Sequence, residues 1–220
     1  NDCSGDQDGR CATGDQGFQD GYCTLLCDTS ASNPCGSNAH CYDSDPTDGD
    51  TSGFCVSNCS SDSDCRTDGY LCYDANQEGT TECFPAATGS SSVGDSCSYV
   101  YECSGGTDGF CIRETDGWQN GYCSQACDTT VSGDCPSGSH CFDPDLSDSS
   151  TQGYCLDNCG GGSSSCRPDG YACYDANDDG SNTECFPAAT GSGSVGESCT
   201  YTFECSGGQY GFCLTEADYG

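Results

Sequence analysis

The chain has 220 residues, of which 26 are cysteine, 36 are acidic and only four are basic, so that its formal net charge is −32. Leu, Ile, Val and Phe together number only 20, and a chain with so little apolar material and so much charge is expected to be disordered unless it is cross-linked. The cysteine content is typical of a disulfide scaffold in an oxidising compartment, which predicts an extracellular location, either secreted or on the cell surface.

The same composition argues against two classes of partner. Phosphate binding needs clustered Lys or Arg, and the chain has no lysine and four scattered arginines, so nucleic acid is not an expected partner. No apolar stretch approaches the ~20 residues of a membrane span, so membrane insertion is not expected either.

The chain repeats itself at an offset of 100 residues that grows to 102, and the strings ECFPAATG and ECSGG each occur twice. Such a period is typical of a repeat architecture. The intervening Ser- and Gly-rich segments are predicted to be linkers. This divides the chain into repeat unit 1 at 1–83, a linker at 84–96, repeat unit 2 at 97–185, a linker at 186–198 and the start of a third unit at 199–220.

Each complete repeat unit contains three modules of four cysteines. Four cysteines allow three pairings. We predict that the first bonds the third and the second bonds the fourth, because the interlocked loops of about 15 to 20 residues would each contribute roughly 3 kcal/mol. In repeat unit 2 this predicts Cys97–Cys111, Cys103–Cys123, Cys127–Cys141, Cys135–Cys155, Cys159–Cys173 and Cys166–Cys185.

Two cysteines have no partner under this scheme, Cys11 and Cys205. One interpretation is that the chain is a window from a longer repetitive chain. The alternative is a covalent head-to-tail polymer in which Cys205 of one subunit bonds Cys11 of the next. Both predict an open-ended array along one axis, as in fibres and stalks, with self-association or chain continuation supplying the partner.

Short DGY and DGF strings beside cysteine predict small hairpins, and no helix-period pattern is present. The predicted fold class is therefore a tandem array of small disulfide-rich modules, made mostly of loops and short β-hairpins with little or no helix. Aromatic residues next to cysteines are expected to pack on the cystines. Phe18 and Trp118 occupy matching positions and are expected to pack in the same way.

Acidic side chains crowd two loops that cysteines close at both ends, CYDANQEGTTEC and CYDANDDGSNTEC. Their alternate oxygen-bearing residues followed by glycine are similar to the first half of the calcium loops of EF-hands and thrombospondin type 3 repeats. The closing Glu comes earlier than in an EF-hand and no flanking helices are evident, so we predict a Ca²⁺ loop of another kind. The alternative is a solvated acidic turn. The candidate ligands are Asp74, Asn76, Glu78 and Glu82 in one loop and Asp175, Asn177, Asp179 and Glu184 in the other.

A weaker candidate precedes each of these loops, in CYDSDPTDGD and CFDPDLSDSS. The glycine is not in the required place, and an ordinary Asp-rich turn whose side chains cap backbone amides is the competing interpretation. The residues concerned are Asp43, Asp45 and Asp48, matched by Asp143, Asp145 and Asp148.

Other signals favour structural roles. His40 and His140 precede cysteines at matching positions, and a single imidazole per module favours packing over a transition-metal site. Asn58 lies in an N-x-S string that meets the rule for a glycan acceptor. No nucleophile elbow or helix-borne metal motif occurs, so the sequence does not predict an enzyme.

The cadence NCSSDSDCRTDGYLCYD, with its repeated GYC and CYD strings, resembles the cysteine-rich repeats of secreted or surface-anchored proteins of myxobacteria and related bacteria. The resemblance implies an extracellular location and structural or adhesive work, and it transfers no catalytic residue. We therefore predict a structural repeat segment of an extracellular fibre, stabilised by disulfides and Ca²⁺. The alternative is an adhesin stalk or a ligand-binding cell-surface ectodomain.

Overall fold

The computed structural model describes residue 3 and residues 9–43, 49–76, 79–144, 150–160, 166–176, 180 and 183–214. Over these residues the regular structure consists of short antiparallel β-strands and three-residue 3₁₀ turns, without α-helix. No helical segment found in these ranges has the length and apolar character that a membrane crossing requires. The chain divides into two compact units, Asn1–Gly89 and Ser90–Gly220. These observations confirm the predicted fold class.

The first compact unit contains a four-stranded sheet in the order β1-β2-β4-β3, followed by the hairpin β5–β6. Its central strand β2 contains Cys23, the last cysteine of one module, and Cys27, the first of the next. Two modules therefore share one sheet. The strands are β1 Gly9–Ala12, β2 Tyr22–Asp28, β3 Ala39–Tyr42, β4 Ser52–Ser57, β5 Tyr70–Tyr73 and β6 Glu82–Pro85.

The second compact unit repeats this arrangement with the sheet β7-β8-β10-β9 and the hairpin β11–β12, and adds the short pair β13–β14. Its strands are β7 Gly109–Ile112, β8 Tyr122–Asp128, β9 Ser139–Phe142, β10 Gln152–Asp157, β11 Tyr171–Tyr174, β12 Glu184–Pro187, β13 Ala189–Thr190 and β14 Ser206–Gly208. The 3₁₀ turns of the described chain are Gly14–Gln16, Asp62–Asp64, Val100–Glu102, Glu114–Asp116 and Thr202–Glu204.

We name the modules A, B and C in chain order. In the first compact unit A ends at 23, B spans 27–55 and C spans 59–85; in the second A spans 97–123, B spans 127–155 and C spans 159–187, so that each module C includes the whole of its last strand. The structure pairs the first cysteine with the third and the second with the fourth in all three, the six bridges expected from the sequence. The same pattern holds in the remaining bridges, which are Cys3–Cys23, Cys27–Cys41, Cys35–Cys55, Cys59–Cys72, Cys65–Cys83 and Cys199–Cys213. Cys11 and Cys205 are reduced.

Each compact unit has one aromatic core that all three modules share. In the second, Trp118 of module A contacts Tyr154 of module B and Phe186 of module C, with ring centroids 6.2 and 5.2 Å apart. In the first, Phe18 takes the place of Trp118 and packs 5.8 Å from Phe84. Aromatic side chains therefore pack both against one another and against buried cystine sulfurs.

An arginine of module C holds the hairpin turn of module A in both units. Arg66 donates to the carbonyl oxygens of Gly21 and Gln19 at 2.8 Å each, and its guanidinium lies 4.2 Å from the centre of the Tyr70 ring. Arg167 repeats the contact with Gly121 at 2.6 Å. Two of the chain's few cations therefore serve to join modules rather than to bind a partner.

The two segments predicted to be linkers contain strand residues and buried side chains. Their first residues continue a strand, and the alanines that follow are 1 to 2% exposed. Segment 186–198 lies wholly within the second compact unit, together with the module that begins at 199. The apolar AA pair in each Ser- and Gly-rich segment is short and is nevertheless fully buried. The alanines are Ala86, Ala87, Ala188 and Ala189.

Candidate metal centre

Strand β5 ends at Tyr73, and the acidic loop of module C begins with the next residue, Asp74. The carboxylate of Asp74 accepts a hydrogen bond from the backbone N–H of Gly79 at 2.7 Å, which closes the loop. Gly79 has a φ of +88°, a conformation that glycine adopts without strain. The second copy has the same closure, from Gly180 to Asp175, at 2.8 Å.

The weaker acidic turn of module B lies next to this loop. The side-chain amide of Asn76 donates to the backbone carbonyl of Asp43 at 3.3 Å. Asp43 itself is only 6% exposed. It follows Tyr42, whose ring stacks on Phe84 of module C with centroids 4.7 Å apart. The two candidate sites that the sequence treats as separate are therefore parts of one acidic cluster in the first compact unit.

Several predicted ligands fall outside the described residues, and the acidic cluster consists of the remaining ones. Asp74 and Asn76 are half-buried, as are Asp143 and Asp175 in the second copy. The predicted ligands outside the described ranges are Asp45, Asp48, Glu78, Asp145, Asp148, Asn177 and Asp179.

Glu82 is fully buried at the base of the loop, with 0% exposure. Its Oε1 accepts from the N–H of Ala75 at 2.8 Å, and its Oε2 lies 3.7 Å from Nε2 of His40. The carboxylate thus faces inward, between a loop amide and an imidazole. Glu184 in the second copy makes the same contacts, at 2.7 Å to Ala176 and 3.6 Å to His140.

The histidines are held in one orientation by asparagines. Nδ1 of His40 lies 2.6 Å from Oδ1 of Asn58, and His140 has the same contact with Asn158, also at 2.6 Å. With the amide oxygen as acceptor, Nδ1 carries the proton and Nε2 is directed to the glutamate. The sequence indicated the histidines only as packing residues and Asn58 only as a glycan acceptor. The occurrence of both the histidine and the asparagine at matching positions of the two repeats was the feature of the sequence that could have indicated this contact.

Burial and the charge of the buried glutamates raise the pKa values of neighbouring tyrosines. Burial, followed by the charge of Glu184, raises the pKa of Tyr154 and of Tyr174 to about 12. Burial also raises the pKa of Tyr73, with Tyr42 and Glu82 as further causes. These tyrosines remain protonated, and Tyr73 donates its hydroxyl proton to the carbonyl of Pro85 at 2.7 Å.

Cysteine sulfurs also cluster in the described chain, but they do not form a thiolate site. One such cluster consists of Cys159, Cys166 and Cys185. All three sulfurs belong to cystines, and a metal ligand must be a thiolate. These sulfurs therefore cannot act as thiolate ligands, and the candidate ligands are the carboxylate and amide oxygens predicted from the sequence, the donor type that Ca²⁺ prefers.

Comparison with known proteins finds no relative: no protein-family model matches the chain, and neither a curated protein nor a solved structure shows significant similarity to it.

Proposed function

We propose that the chain is a structural repeat segment of an extracellular fibre, stiffened by disulfides and Ca²⁺. Repeated small disulfide-rich modules fit an extracellular structural or ligand-binding role. The observation that favours the structural role is that both compact units have the same bonded arrangement. The sheet order, the arginine contact and the buried Glu–His pair all recur.

The modules of a unit are joined in ways that resist bending. Thr24 in β2 donates to the carbonyl of Cys55 at 2.8 Å, and Ser124 donates to Cys155 at the same distance. The sheet shared by modules A and B, the aromatic core shared by all three and these buried bonds join the described parts of the modules to one another. Serial repetition of such a unit along one chain is suited to an extended load-bearing element.

Electron microscopy of the native material tests the fibre. We expect long filaments with an axial repeat that matches one or two compact units. Isolated rods, with no filaments at any protein concentration, would contradict the proposal and favour an adhesin stalk.

Calcium is proposed as the ion that the acidic cluster holds. The residues that support it are Asp43 and Asn76, which are in contact, and Asp74, which lies in the same loop as Asn76. Bound Ca²⁺ would neutralise these carboxylates and tie module B to module C.

This role is tested by calorimetric titration with Ca²⁺ of protein from which a chelator has removed bound cations. At least one site per repeat unit is expected, together with a higher melting temperature, because a cation that binds only the folded state stabilises it. Asp74→Asn should weaken the heat of binding, whereas Asp68→Asn, at an exposed position outside the cluster, should not. An absence of both heat and thermal stabilisation would eliminate the calcium proposal.

A ligand-binding ectodomain remains the second candidate because of one cavity in the second compact unit. It has a volume of about 770 Å³ and is lined by polar and charged side chains, among them Glu102, Arg113, Glu114 and Arg167. However, the lining carboxylates of Glu102, Glu114 and Asp169 outnumber the two arginines, so the cavity has no excess of positive charge for an anionic ligand. The fibre is therefore the better supported of the two.

A further inference from the structure

The cavity of the second compact unit has a lining that suits one class of ligand. It is bounded by module A, by the segment just before it and by module C, and its volume of about 770 Å³ lies within the range of small-molecule sites, about 300–1,000 Å³. The described side chains that line it carry hydroxyl, amide, carboxylate and guanidinium groups, and no aromatic or large aliphatic side chain is among them. An apolar ligand would therefore find nothing to pack against.

The walls of the cavity are fixed before any ligand binds. Arg167 of module C donates to the carbonyl of Gly121 at 2.6 Å, and the N–H of Cys97 donates to the carbonyl of Asn120 at 3.2 Å. Cys97 is in turn bonded to Cys111. These contacts tie the two sides of module A to each other and to module C, so that binding would cost little in ordering the site.

Arg113 lines this cavity with a side chain that has no partner in the described chain. Its backbone N–H donates to the carboxylate of Asp116 at 3.1 Å. Its guanidinium is exposed and makes no hydrogen bond or ion pair with any described residue. A guanidinium donates hydrogen bonds and cannot accept them. A ligand that satisfies Arg113 must therefore offer acceptors.

The carboxylates of the cavity have the opposite requirement. Glu102 already accepts from the backbone N–H groups of Ser98 and Tyr99. The side chains of Glu114 and Asp169 are exposed and accept no hydrogen bond from the described residues. An ionised carboxylate accepts hydrogen bonds and cannot donate them, so the same ligand must also offer donors.

The balance of charge narrows the class of ligand further. Three carboxylates and two guanidiniums line the cavity, so that a sulfated or uronic saccharide would meet net repulsion. A cation would leave the guanidinium of Arg113 without an acceptor. A hydroxyl group is both donor and acceptor, and neighbouring hydroxyls of one sugar ring therefore meet both requirements without any charge.

We propose that this cavity binds a neutral oligosaccharide. The guanidinium of Arg113 donates to sugar oxygens, and the carboxylates of Glu114 and Asp169 accept from sugar hydroxyls. The inference goes beyond the proposed fibre, because it gives a ligand class to the cavity that supports the second candidate function and it does not require filaments. A fibre or a stalk with such a site would adhere to a neutral polysaccharide.

Comparison of the two repeats separates the scaffold of the cavity from its ligand contacts. The arginine contact between modules C and A recurs in both compact units. Arg113 and Glu114 do not recur, since Thr13 and Gly14 stand at the corresponding positions. The first unit thus forms the same fold without these two charges, and a role in binding accounts for them where a role in the fold does not.

A glycan array tests the class of ligand. The full chain is applied to immobilised short oligosaccharides, both neutral and acidic. Binding to neutral members in preference to sulfated or uronic ones is expected. An array on which no neutral glycan is bound, or on which acidic glycans are preferred, would overturn the proposal.

Calorimetric titration with the neutral glycan that binds most strongly assigns the site. Arg113→Ala and Glu114→Ala should each weaken the affinity at least about tenfold, which corresponds to about 1.4 kcal/mol. Arg10→Ala is the matched control, because Arg10 is exposed and belongs to the first compact unit, and it should leave the affinity unchanged. Equal effects of Arg113→Ala and Arg10→Ala would mean that the glycan binds elsewhere and would overturn the site.

Thermal unfolding separates a lost contact from a damaged fold. Arg113→Ala should melt at the temperature of the native protein, because no described residue pairs with that side chain. If it melts lower, Glu114→Ala decides, and an unchanged affinity in that variant contradicts the proposal. Filaments without glycan binding would reject this site alone, whereas glycan binding without filaments would reject the fibre alone.

Discussion

The buried glutamate of each acidic loop is the residue on which the local structure depends most. Glu82 is out of contact with solvent and accepts a hydrogen bond from the loop amide of Ala75 while facing His40. A buried polar group that loses its partner is costly. The glutamate therefore stabilises the base of the loop whether or not an ion is bound above it.

Substitution of this glutamate should separate its structural role from cation binding. When a chelator keeps the protein free of Ca²⁺, Glu82→Ala is expected to lower the free energy of unfolding by about 2 kcal/mol, because the N–H of Ala75 loses its acceptor. Glu82→Gln should cost less, since it keeps an acceptor for that N–H. Urea denaturation followed by circular dichroism gives the values. A loss of the same size from Asp68→Asn, which is exposed, would contradict the assignment.

Asp157 is expected to destabilise the second compact unit at neutral pH. Burial, and then the charge of Asp95, raises its pKa, so ionisation is less favourable in the folded state than in the unfolded state. The penalty is fully present above the raised pKa and disappears below the ordinary value of about 3.9.

The variant Asp157→Asn should therefore raise the melting temperature by about 1 to 2 °C at pH 7. At a pH near 3 the variant and the native protein should melt together, because Asp157 is then protonated in both states. Calorimetry at the two pH values measures this difference. An equal gain at both would show that the carboxylate charge is not the cause.

At the scale of the element, the hairpin turn between β7 and β8 depends on what is packed against it. A Cβ placed on Gly121 would lie 1.9 Å from the carbonyl oxygen of Cys97, whereas a Cβ on Gly21 would have the sulfur of Cys11 as its nearest neighbour, at 3.1 Å. Both glycines have positive φ, +64° and +73°, so that the conformational strain of a substitution is the same in the two units.

The pair of variants Gly121→Ala and Gly21→Ala should consequently differ. Both pay the left-handed strain of about 1 kcal/mol, and Gly121→Ala should cost about 2 kcal/mol more because a backbone atom blocks the methyl group. Thermal unfolding of the two variants compares them directly. Equal losses of stability would mean that the backbone at Cys97 moves aside without cost and does not constrain the turn.

The aromatic core predicts a second contrast between elements. Trp118 is 7% exposed and contacts all three modules of its unit, and Phe18 holds the same place in the other unit. Trp118→Ala should cost about 3 to 5 kcal/mol. Trp118→Phe should cost much less, since the other repeat already packs a phenyl ring there. Urea denaturation followed by circular dichroism distinguishes the two, and similar losses would argue against a packing role.

For the whole molecule, the folded state depends on the disulfides. The twelve bridges found in the described chain each contribute roughly 2 to 4 kcal/mol, and a folded domain has a net stability of only about 5 to 15 kcal/mol. Complete reduction should therefore unfold both compact units at once and expose Trp118. A red shift of its fluorescence and loss of the β circular dichroism signal are expected, and a reduced chain that keeps both signals would disprove this account.

The amino-acid sequence by itself determined the local features of this protein. The cysteine spacing allows three pairings in each module, and the predicted interlocked pairing is the one observed. The hairpins follow from turn strings beside cysteines, because their two strands are close in the sequence. The position of the acidic loops and the equivalence of Phe18 with Trp118 were likewise readable from the repeat. In each case the partners lie within one module or at one fixed offset.

Only the tertiary structure decided how the modules combine. Glu82 faces His40 across a gap of 42 residues in the sequence, the two acidic turns meet through Asn76, and Ala86 and Ala87 are buried in what the composition marks as a linker. No periodicity encodes such contacts, because they arise where separate elements pack.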